Sequence, residues 1–373
     1  VNHAAHIIEA ALELGFVRCG FSRVELLPRE RFFRDWLAEG RAAEMTYLWR
    51  RFRARLDPRV LFPWARSVVS LAYAYPPPPP APRDWRLELR GRIAAYARGR
   101  DYHEVVGERL RQLAARIAAM GTGIEARPYV DTGPVLEREW GLRGGLGWFG
   151  KNTMLLDRQM GSWFFLAEVL TSIELPASAP AAEHCGTCRR CLDDCPTGAL
   201  AADYRIDPRR CISYLTIEHR GAIPALLRPH LGNWIFGCDV CQNVCPWNAE
   251  PAHADDFDTL YPRLTDIMDL DAAGFRARFG GTAVMRTRRR GLLRNAAVAL
   301  GNSGNRDAVP ALERALLNDE PLVRGHAAWA LGRLGGSAAR DALDRVRNTD
   351  PDDAVRAETE AALRDTTADR TGV

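Results

Sequence analysis

Nine cysteines are distributed very unevenly along this chain of 373 residues. Cys19 stands alone, whereas Cys185, Cys188, Cys191, Cys195, Cys211, Cys238, Cys241 and Cys245 fall in one short stretch. A chain of this size has no need of disulfide staples, so thiolate ligation of metal is the better reading. Cys185, Cys188, Cys191 and Cys195 follow the spacing CxxCxxCxxxCP, which ends at Pro196. Three thiolates so closely spaced can wrap one face of an iron–sulfur cubane, and the fourth, followed by proline, turns away toward a second cluster. Zinc ribbons use paired CxxC knuckles instead, and soft thiolates are the ligands that iron–sulfur centres take.

The second half of the stretch varies the pattern. Cys238, Cys241, Cys245 and Pro246 keep the last three cysteine positions, but Ile235 stands where the first would fall. Cys211 is the nearby cysteine left over. Counting assigns Cys185, Cys188, Cys191 and Cys245 to one [4Fe–4S] cluster and Cys195, Cys211, Cys238 and Cys241 to the other, with crossed fourth ligands as in two-cluster ferredoxins. The alternative is a plain buried thiol at Cys211 and a [3Fe–4S] second cluster. Two close clusters carry single electrons, and such a carrier implies an acceptor held by the rest of the chain.

The elements that would hold the acceptor lie mostly ahead of the cysteines. Residues 1–15 read as an amphipathic helix with Ile7, Ile8, Leu12 and Leu14 on or near one side. Residues 66–73 read as a buried strand, broken by Pro76 to Pro80, an extended surface loop. Residues 87–120 look largely helical, with a break around Gly99 to His103. Residues 125–130 and 153–156 suggest short strands, and 163–173 a further one, so residues 1–174 form an α+β domain. The two-cluster segment occupies 175–255 and a connecting stretch 256–285, with a solvated acidic turn around Asp255 to Asp258. From residue 286 the sequence repeats itself: Leu300-Gly301 returns as Leu331-Gly332, Leu312 as Leu343, and Val323-Arg324 as Val355-Arg356. This spacing predicts HEAT-like helix pairs over 286–368, with a frayed polar tail after Leu363.

Composition sets outer limits. At 47% hydrophobic residues the chain can build two or three domains with their own cores. A net charge of +4 permits a nucleic-acid partner without demanding one. No secretory signal and no uncharged apolar run of membrane-spanning length is visible, so the expected location is the cytoplasm with no membrane partner. A monomer is expected, since no extra dimerisation element stands out. Gly145, Gly147 and Gly150 match GxGxxG, and Gly150-Lys151-Asn152 approaches a P-loop. A helix-like stretch precedes them and a strand-like one follows, the reverse of what a nucleotide motif needs. These glycines are expected to make tight turns or to let backbone approach a flat ligand.

The collected segments resemble one family, the epoxyqueuosine reductases. They are Tyr96-Ala-x-Gly-x-Asp101-Tyr102-His103, Tyr129-Val-Asp131-Thr-Gly-Pro-Val-x-Glu-Arg138, Gly147-Trp-Phe-Gly-Lys151-Asn152-Thr, Cys195-Pro-Thr-Gly-Ala, Cys211-Ile-Ser213-Tyr-Leu-Thr and Gly237-Cys-Asp-Val-Cys-Gln-Asn-Val-Cys245-Pro-Trp-Asn. They occur in this order across most of the chain, and the HEAT-like tail matches the long form of the family. The resemblance implies an α/β-type corrinoid-binding catalytic domain, a ferredoxin-like two-cluster domain and a C-terminal helical repeat domain. It implies cobalamin plus two [4Fe–4S] clusters, cobalt in its lowest oxidation state, and reduction of the epoxide of epoxyqueuosine at the tRNA wobble position to queuosine. The partners implied are the anticodon stem-loop of tRNA and an unidentified electron donor. No Asp-x-His-x-x-Gly segment is present, which fits cobalamin bound without a protein histidine on cobalt.

Removing the epoxide oxygen as water takes two electrons and two protons; the departing oxygen needs the first of these as its bond breaks, and Asp131 is the expected donor. It follows a strand-like run from which a loop can aim it into a pocket, and burial beside an apolar corrin face would favour its neutral form. Read from the sequence alone, Asp131 is better explained as a turn-capping residue before Thr-Gly-Pro, and the resemblance turns the reading to catalysis. The resemblance adds Asp131, Arg55, Arg138, Lys151, Asn152 and Ser213 as candidate cofactor contacts. Tyr102 and His103 line the pocket or serve only the fold, and Cys19 is expected to be a buried structural thiol. Arg286, Arg288, Arg289, Arg290 and Arg294 form a basic run at the entrance to the repeats, expected to meet RNA phosphates. Two alternatives stand beside this reading: another corrinoid reductase acting on a small substrate, and a ferredoxin-like electron carrier, which would leave residues 1–170 without a role.

Overall fold

The computed structural model describes residues 2–248 and 257–368. The chain divides into two units, each assembled from separate stretches. The first comprises Val1–Pro77, Arg100–Arg209 and Val240–Glu250, and the second Pro78–Gly99, Arg210–Asp239 and Pro251–Val373.

The first unit is built on a four-stranded sheet in the order Arg18–Arg23, Ser67–Ala74, Phe164–Thr171, Ala126–Tyr129, antiparallel throughout. Both central strands are covered on both faces, which explains why they read as nearly continuous apolar runs rather than alternating ones. One face, with Phe21, Val69, Leu71, Ala167 and Val169, packs against the helices His3–Glu13 and Tyr102–Ala118. The other, with Val68 and Leu170, packs against Trp140 of helix Glu137–Arg143. In Tyr102–Ala118 the buried positions Val106, Leu110, Leu113 and Ile117 recur at helical spacing. Burying each such side chain stabilises the fold by about 1.5–3 kcal/mol. The first helix turns differently from expectation. Ile7, Ala10 and Ala11 face the core, whereas Ile8 and Leu12 are exposed.

The glycine-rich segment is not a nucleotide loop. Helix Glu137–Arg143 precedes it, and Trp148–Phe149 pairs with Leu155–Leu156 after it. A Cβ on Gly147 would lie 2.0 Å from the Leu156 carbonyl oxygen, so close backbone approach requires glycine there.

In the second unit, residues 89–98 do not continue the helix expected from residue 87. After the short turn Trp85–Glu88, Arg92–Ile93 forms a strand paired in parallel with Trp234–Phe236. A distant partner outweighs local helical preference here. Pro78 and Pro79 are buried, and the Pro79 carbonyl accepts from the Tyr261 hydroxyl at 2.8 Å, so the proline run is packed rather than a free loop. The repeat region consists of the helices Arg288–Ser303, Val309–Ala315, Pro321–Leu334, Ser337–Val346 and Asp353–Ala368. The repeating glycines have a packing reason. A Cβ on Gly301 would lie 2.8 Å from Ala330 Cα, and one on Gly332 2.8 Å from Ala362 Cα. Two buried arginines are held by carboxylates: Arg324 makes a two-pronged contact to Asp350 at 2.7 and 2.9 Å, and Arg228 one to Glu358 at 2.7 and 3.0 Å. The start of the acidic turn expected at Asp255 and the end of the tail beyond residue 368 lie outside the described residues. Among those described, no helix is long and apolar enough to cross a membrane.

Candidate active site and metal centre

Two elements of the first unit end at the same place. Strand Ala126–Tyr129 runs out just before Asp131, which adopts a left-handed backbone at φ 53°. Aspartate tolerates that conformation better than most residues. The Asp131 N–H donates to the Glu137 carboxyl group. Helix Tyr102–Ala118 begins at the same site, capped by Asp101, whose Oδ1 accepts from the His103 backbone N–H at 2.9 Å. Its first turn presents Tyr102 and His103. The Tyr102 hydroxyl donates to Asp131 Oδ2 at 2.9 Å, and His103 Nε2 lies 3.0 Å from the same oxygen. His103 Nδ1 lies 2.7 Å from Asp101 Oδ1. The Tyr102 ring is held by stacking on Phe165, with centroids 4.3 Å apart and planes within 7°.

Both ring nitrogens of His103 thus face carboxylate oxygens. Burial opposes its positive charge, but the hydrogen bonds to Asp131 and Asp101 outweigh this and raise its pKa. Glu137 is pushed up to about 8, first by burial and then by the charge of Asp131. Asp131 itself is not enclosed: its side chain is 50% exposed. Asp101, His103, Asp131 and Glu137 thus form one hydrogen-bonded cluster, open on the Asp131 side. Arg55 ties the loop down. This buried guanidinium donates to the Gly133 carbonyl at 3.2 Å and the Tyr47 carbonyl at 3.3 Å, while its Nε is buried without a partner. Arg138 donates to the Thr153 carbonyl at 2.5 Å and is otherwise exposed.

Cys185, Cys188, Cys191 and Cys245 line a single cavity, together with Lys151, Asn152, Leu156, Arg190, Pro246 and Trp247. Two short helical turns, Arg190–Asp193 and Val240–Asn243, flank it in sequence. The Cys191 thiol is pushed up to about 11, by burial and then by the charges of Cys245, Cys185 and Cys188. Four thiols gathered around one cavity are the donor set that a cationic iron–sulfur core stabilises as thiolates. The donor set therefore fits a cluster. An aromatic group adjoins it, with Trp148, His184 and Trp247 at mutual centroid distances of 4.8–5.4 Å.

The remaining candidates scatter. Lys151 and Asn152 border the cluster cavity. Lys151 Nζ pairs with Asp203 at 3.1 Å, and the Asn152 side-chain amide donates to the Cys241 carbonyl at 3.3 Å. Ser213 lies in the first turn of helix Ile212–Ile217 in the second unit. Cys19 is half-buried against the main core, and burial pushes its thiol up to about 12, as befits a structural thiol. The basic run divides. Arg286 and Arg288 are exposed, and Arg289 and Arg290 half-exposed. Arg294 is a correction: it is fully buried and donates to the carbonyls of Leu215, His219 and Gly221, which leaves no face for a phosphate. Sequence reasoning missed Glu137, because a glutamate opening a helix reads as an ordinary first-turn acid.

It also missed Glu168, which is fully buried on a central strand with neither carboxyl oxygen hydrogen-bonded among the described residues. Burial, then the charge of Glu137, raises its pKa well above the ordinary carboxyl value, so it folds neutral. The folded state then keeps a proton that the unfolded chain releases above about pH 4.3. Stability is greatest below that pH and falls as pH rises toward the folded value, by up to about 1.4 kcal/mol per pH unit. Glu168→Gln removes this dependence. Its thermal midpoint should gain on the parent's as pH goes from about 5 to about 8. Parallel curves for the two proteins would contradict a neutral buried Glu168.

Comparison with known proteins places these features in a family. Residues 184–248 match the profile of a 4Fe-4S double cluster binding domain, residues 55–132 that of epoxyqueuosine reductase QueG, and residues 283–364 that of HEAT repeats. An epoxyqueuosine reductase of Xanthomonas campestris pv. campestris is 44% identical over 89% of this chain and 96% of its own length. That of Escherichia coli is 38% identical over 88% and 89%. Among solved structures, the Bacillus subtilis epoxyqueuosine reductase with its catalytic aspartate loop swung out of the active site superposes with a TM-score of 0.90. It is 30% identical, with 97% of this chain and 98% of that one covered. An epoxyqueuosine reductase with an epoxyqueuosine-modified tyrosine tRNA stem loop superposes at 0.88, with 30% identity and 98% of both chains covered. On identity and coverage alike, this chain belongs to the epoxyqueuosine reductase family.

Proposed function

We propose that this protein reduces the epoxide of epoxyqueuosine in tRNA to the alkene of queuosine, with Asp131 as proton donor and two [4Fe–4S] clusters as electron carriers. The observation that carries the reading is that one unit holds both a four-thiol cavity and the Asp131–His103–Tyr102 cluster, in a chain of this family. The first cluster rests on Cys185, Cys188, Cys191 and Cys245. The second rests on the spacing of Cys195, Cys211, Cys238 and Cys241 and on the double-cluster match. Cobalamin is the proposed acceptor of their electrons, and when bound it supplies a strongly reducing cobalt centre for cleaving carbon–oxygen bonds. The orphaned Nε of Arg55 and the exposed guanidinium of Arg138 are donors suited to a corrinoid's amide and phosphate oxygens.

The chain's own part is to deliver the proton. Asp131 Oδ2 points at two donors, and His103, its charged form favoured by Asp101, holds a proton beside it. Loss of a proton from Asp131 to the departing oxygen is made good from His103 at 3.0 Å. Tyr102 keeps the carboxyl in place for the next transfer. Residues 1–174 are proposed as the catalytic domain, 175–255 as the two-cluster domain and 286–368 as the RNA-binding repeats. An electron donor of unknown identity, a monomeric state and a cytoplasmic location complete the reading. Anaerobic purification with cobalamin tests the cofactor assignment. A corrin absorption band that shifts on reduction supports it, and protein that retains no corrin contradicts it.

The basic entrance to the repeats carries a separate expectation. Arg288 and Arg290 are accessible, and Arg290 has only a long 4.0 Å contact with Glu320. Arg288→Gln with Arg290→Gln should weaken tRNA binding and lower its salt slope by about 1 for each phosphate no longer neutralised. Cluster absorbance should stay normal. Unchanged affinity across a salt series would move the RNA surface elsewhere.

A further inference from the structure

The segment 46–55, Thr-Tyr-Leu-Trp-Arg-Arg-Phe-Arg-Ala-Arg, has four arginines, three aromatic residues and no acid. Its burial is inverted. Trp49 is 49% exposed and Tyr47 37%, while the guanidinium-bearing Arg55 is buried. Large aromatics seldom face water while an arginine takes the interior. Arg51 holds a left-handed backbone at φ 56°, a conformation that an arginine adopts only at a cost. This reversal separates the turn Thr46–Leu48 from the helix Phe52–Leu56 and leaves Trp49 on the outside.

Trp49 is the open end of a column of rings. It lies 6.4 Å from Phe52, which stacks on Phe33 at 5.4 Å with planes 10° apart, and Phe33 stacks on Trp36 at 6.5 Å. Trp36 is anchored by its Nε1–H to the Ile206 carbonyl at 3.2 Å. The outer ring therefore sits on a supported base. Around it Arg50, Arg51 and Arg53 are exposed, and none has an ion pair among the described residues. The segment is also tied to the catalytic loop. Arg55 bridges the Tyr47 carbonyl to the Gly133 carbonyl, two residues beyond Asp131.

We propose that Tyr47 to Arg53 is a stacking platform for single-stranded RNA, on which Trp49 takes an unpaired base and Arg50 and Arg53 take the flanking phosphates. The proposal rests on the tRNA reading given above and locates a part of that contact beside the catalytic loop. A supported, exposed ring among unpaired arginines is the arrangement that binds single strands irrespective of sequence. The chemistry also calls for it. A base drawn out of the anticodon loop toward Asp131 leaves its neighbour unstacked. Trp49 replaces the missing stacking.

The test uses the holoprotein, kept anaerobic, and a fluorescently labelled anticodon stem-loop carrying epoxyqueuosine. Trp49→Ala should weaken binding roughly tenfold or more, since stacking on one base is worth that much, and Trp49→Phe should recover most of the loss. Arg50→Gln with Arg53→Gln should lower the salt slope by about 0.7 for each arginine. A blunt-ended RNA duplex without a loop should bind parent and Trp49→Ala alike. Trp49→Ala affinity within about twofold of the parent's overturns the platform. So does weakening that Phe fails to recover, or loss of corrin or cluster absorbance in Trp49→Phe, which would put the segment in the cofactor site. Failure of the parent to reduce the epoxide while these binding differences hold would strike the catalytic reading and leave the platform standing.

Discussion

Replacing Asp131 with asparagine should lower the rate of epoxide reduction by about 10²–10⁴-fold, the usual contribution of a general acid. Asparagine fills nearly the same space and can still accept from the Tyr102 hydroxyl, which stands 2.9 Å from Asp131 Oδ2. It has no proton of comparable acidity to give. The oxygen leaving the ring carries negative charge as its bond to carbon breaks, and without a nearby acid that charge stays unrelieved. The loss should appear in the chemical step and leave RNA affinity nearly unchanged. A single-turnover reaction from pre-reduced enzyme isolates that step from electron delivery. A rate within about threefold of the parent's, with cofactor loading confirmed, would return Asp131 to a turn residue. The His103 contact adds a sign. The pair must hold its proton to act, and His103 has a raised pKa. The rate should therefore fall as pH rises through the His103 titration, at a pH above that of an ordinary histidine.

Cys245→Ala should destroy the first cluster, although Cys245 belongs by sequence to the second motif. The cavity it lines is shared with Cys185, Cys188 and Cys191, and its thiol is raised by burial and by the charges of Cys185 and Cys188. Reconstituted parent should hold about eight irons and the variant about four. Electron flow from an external reductant should disappear with them. Cys211→Ala should have the complementary effect, removing the second cluster and sparing the first. Loss of the same cluster in both variants would contradict the crossed assignment. Loss of both clusters in each would mean that the segment folds only with its full metal content.

These expectations differ in how far they could be read from residues alone. Thiolate ligation is chemistry of short spacing, so the grouping of Cys185, Cys188 and Cys191 with the distant Cys245, which line one cavity, was legible from the motifs. The strands 67–74 and 164–171 were visible because coverage on both faces makes them continuously apolar. The Gly301–Gly332 repeat was visible because close helix packing demands small residues at a fixed interval. What escaped depends on partners far away in the chain. Arg92–Ile93 is a strand because Trp234–Phe236 pairs with it, and Arg294 is buried because carbonyls near residue 220 accept its protons. Nothing local distinguishes Arg294 from the solvated arginines just before it. His103 was seen only as a pocket residue, because its link to Asp131 spans 28 positions. What the sequence did not show is that the Asp131 carboxyl is backed by the His103 imidazole, at 3.0 Å.

The most direct test of the central claim is chemical. The reduced holoprotein is incubated anaerobically with tRNA carrying epoxyqueuosine, and the RNA is digested to nucleosides for mass spectrometry. Protein loaded with both clusters and cobalamin should remove one oxygen atom from epoxyqueuosine and yield queuosine. Asp131→Asn should give no conversion over the same interval. Epoxyqueuosine recovered intact from the fully loaded parent, with RNA binding demonstrated, would contradict the assignment.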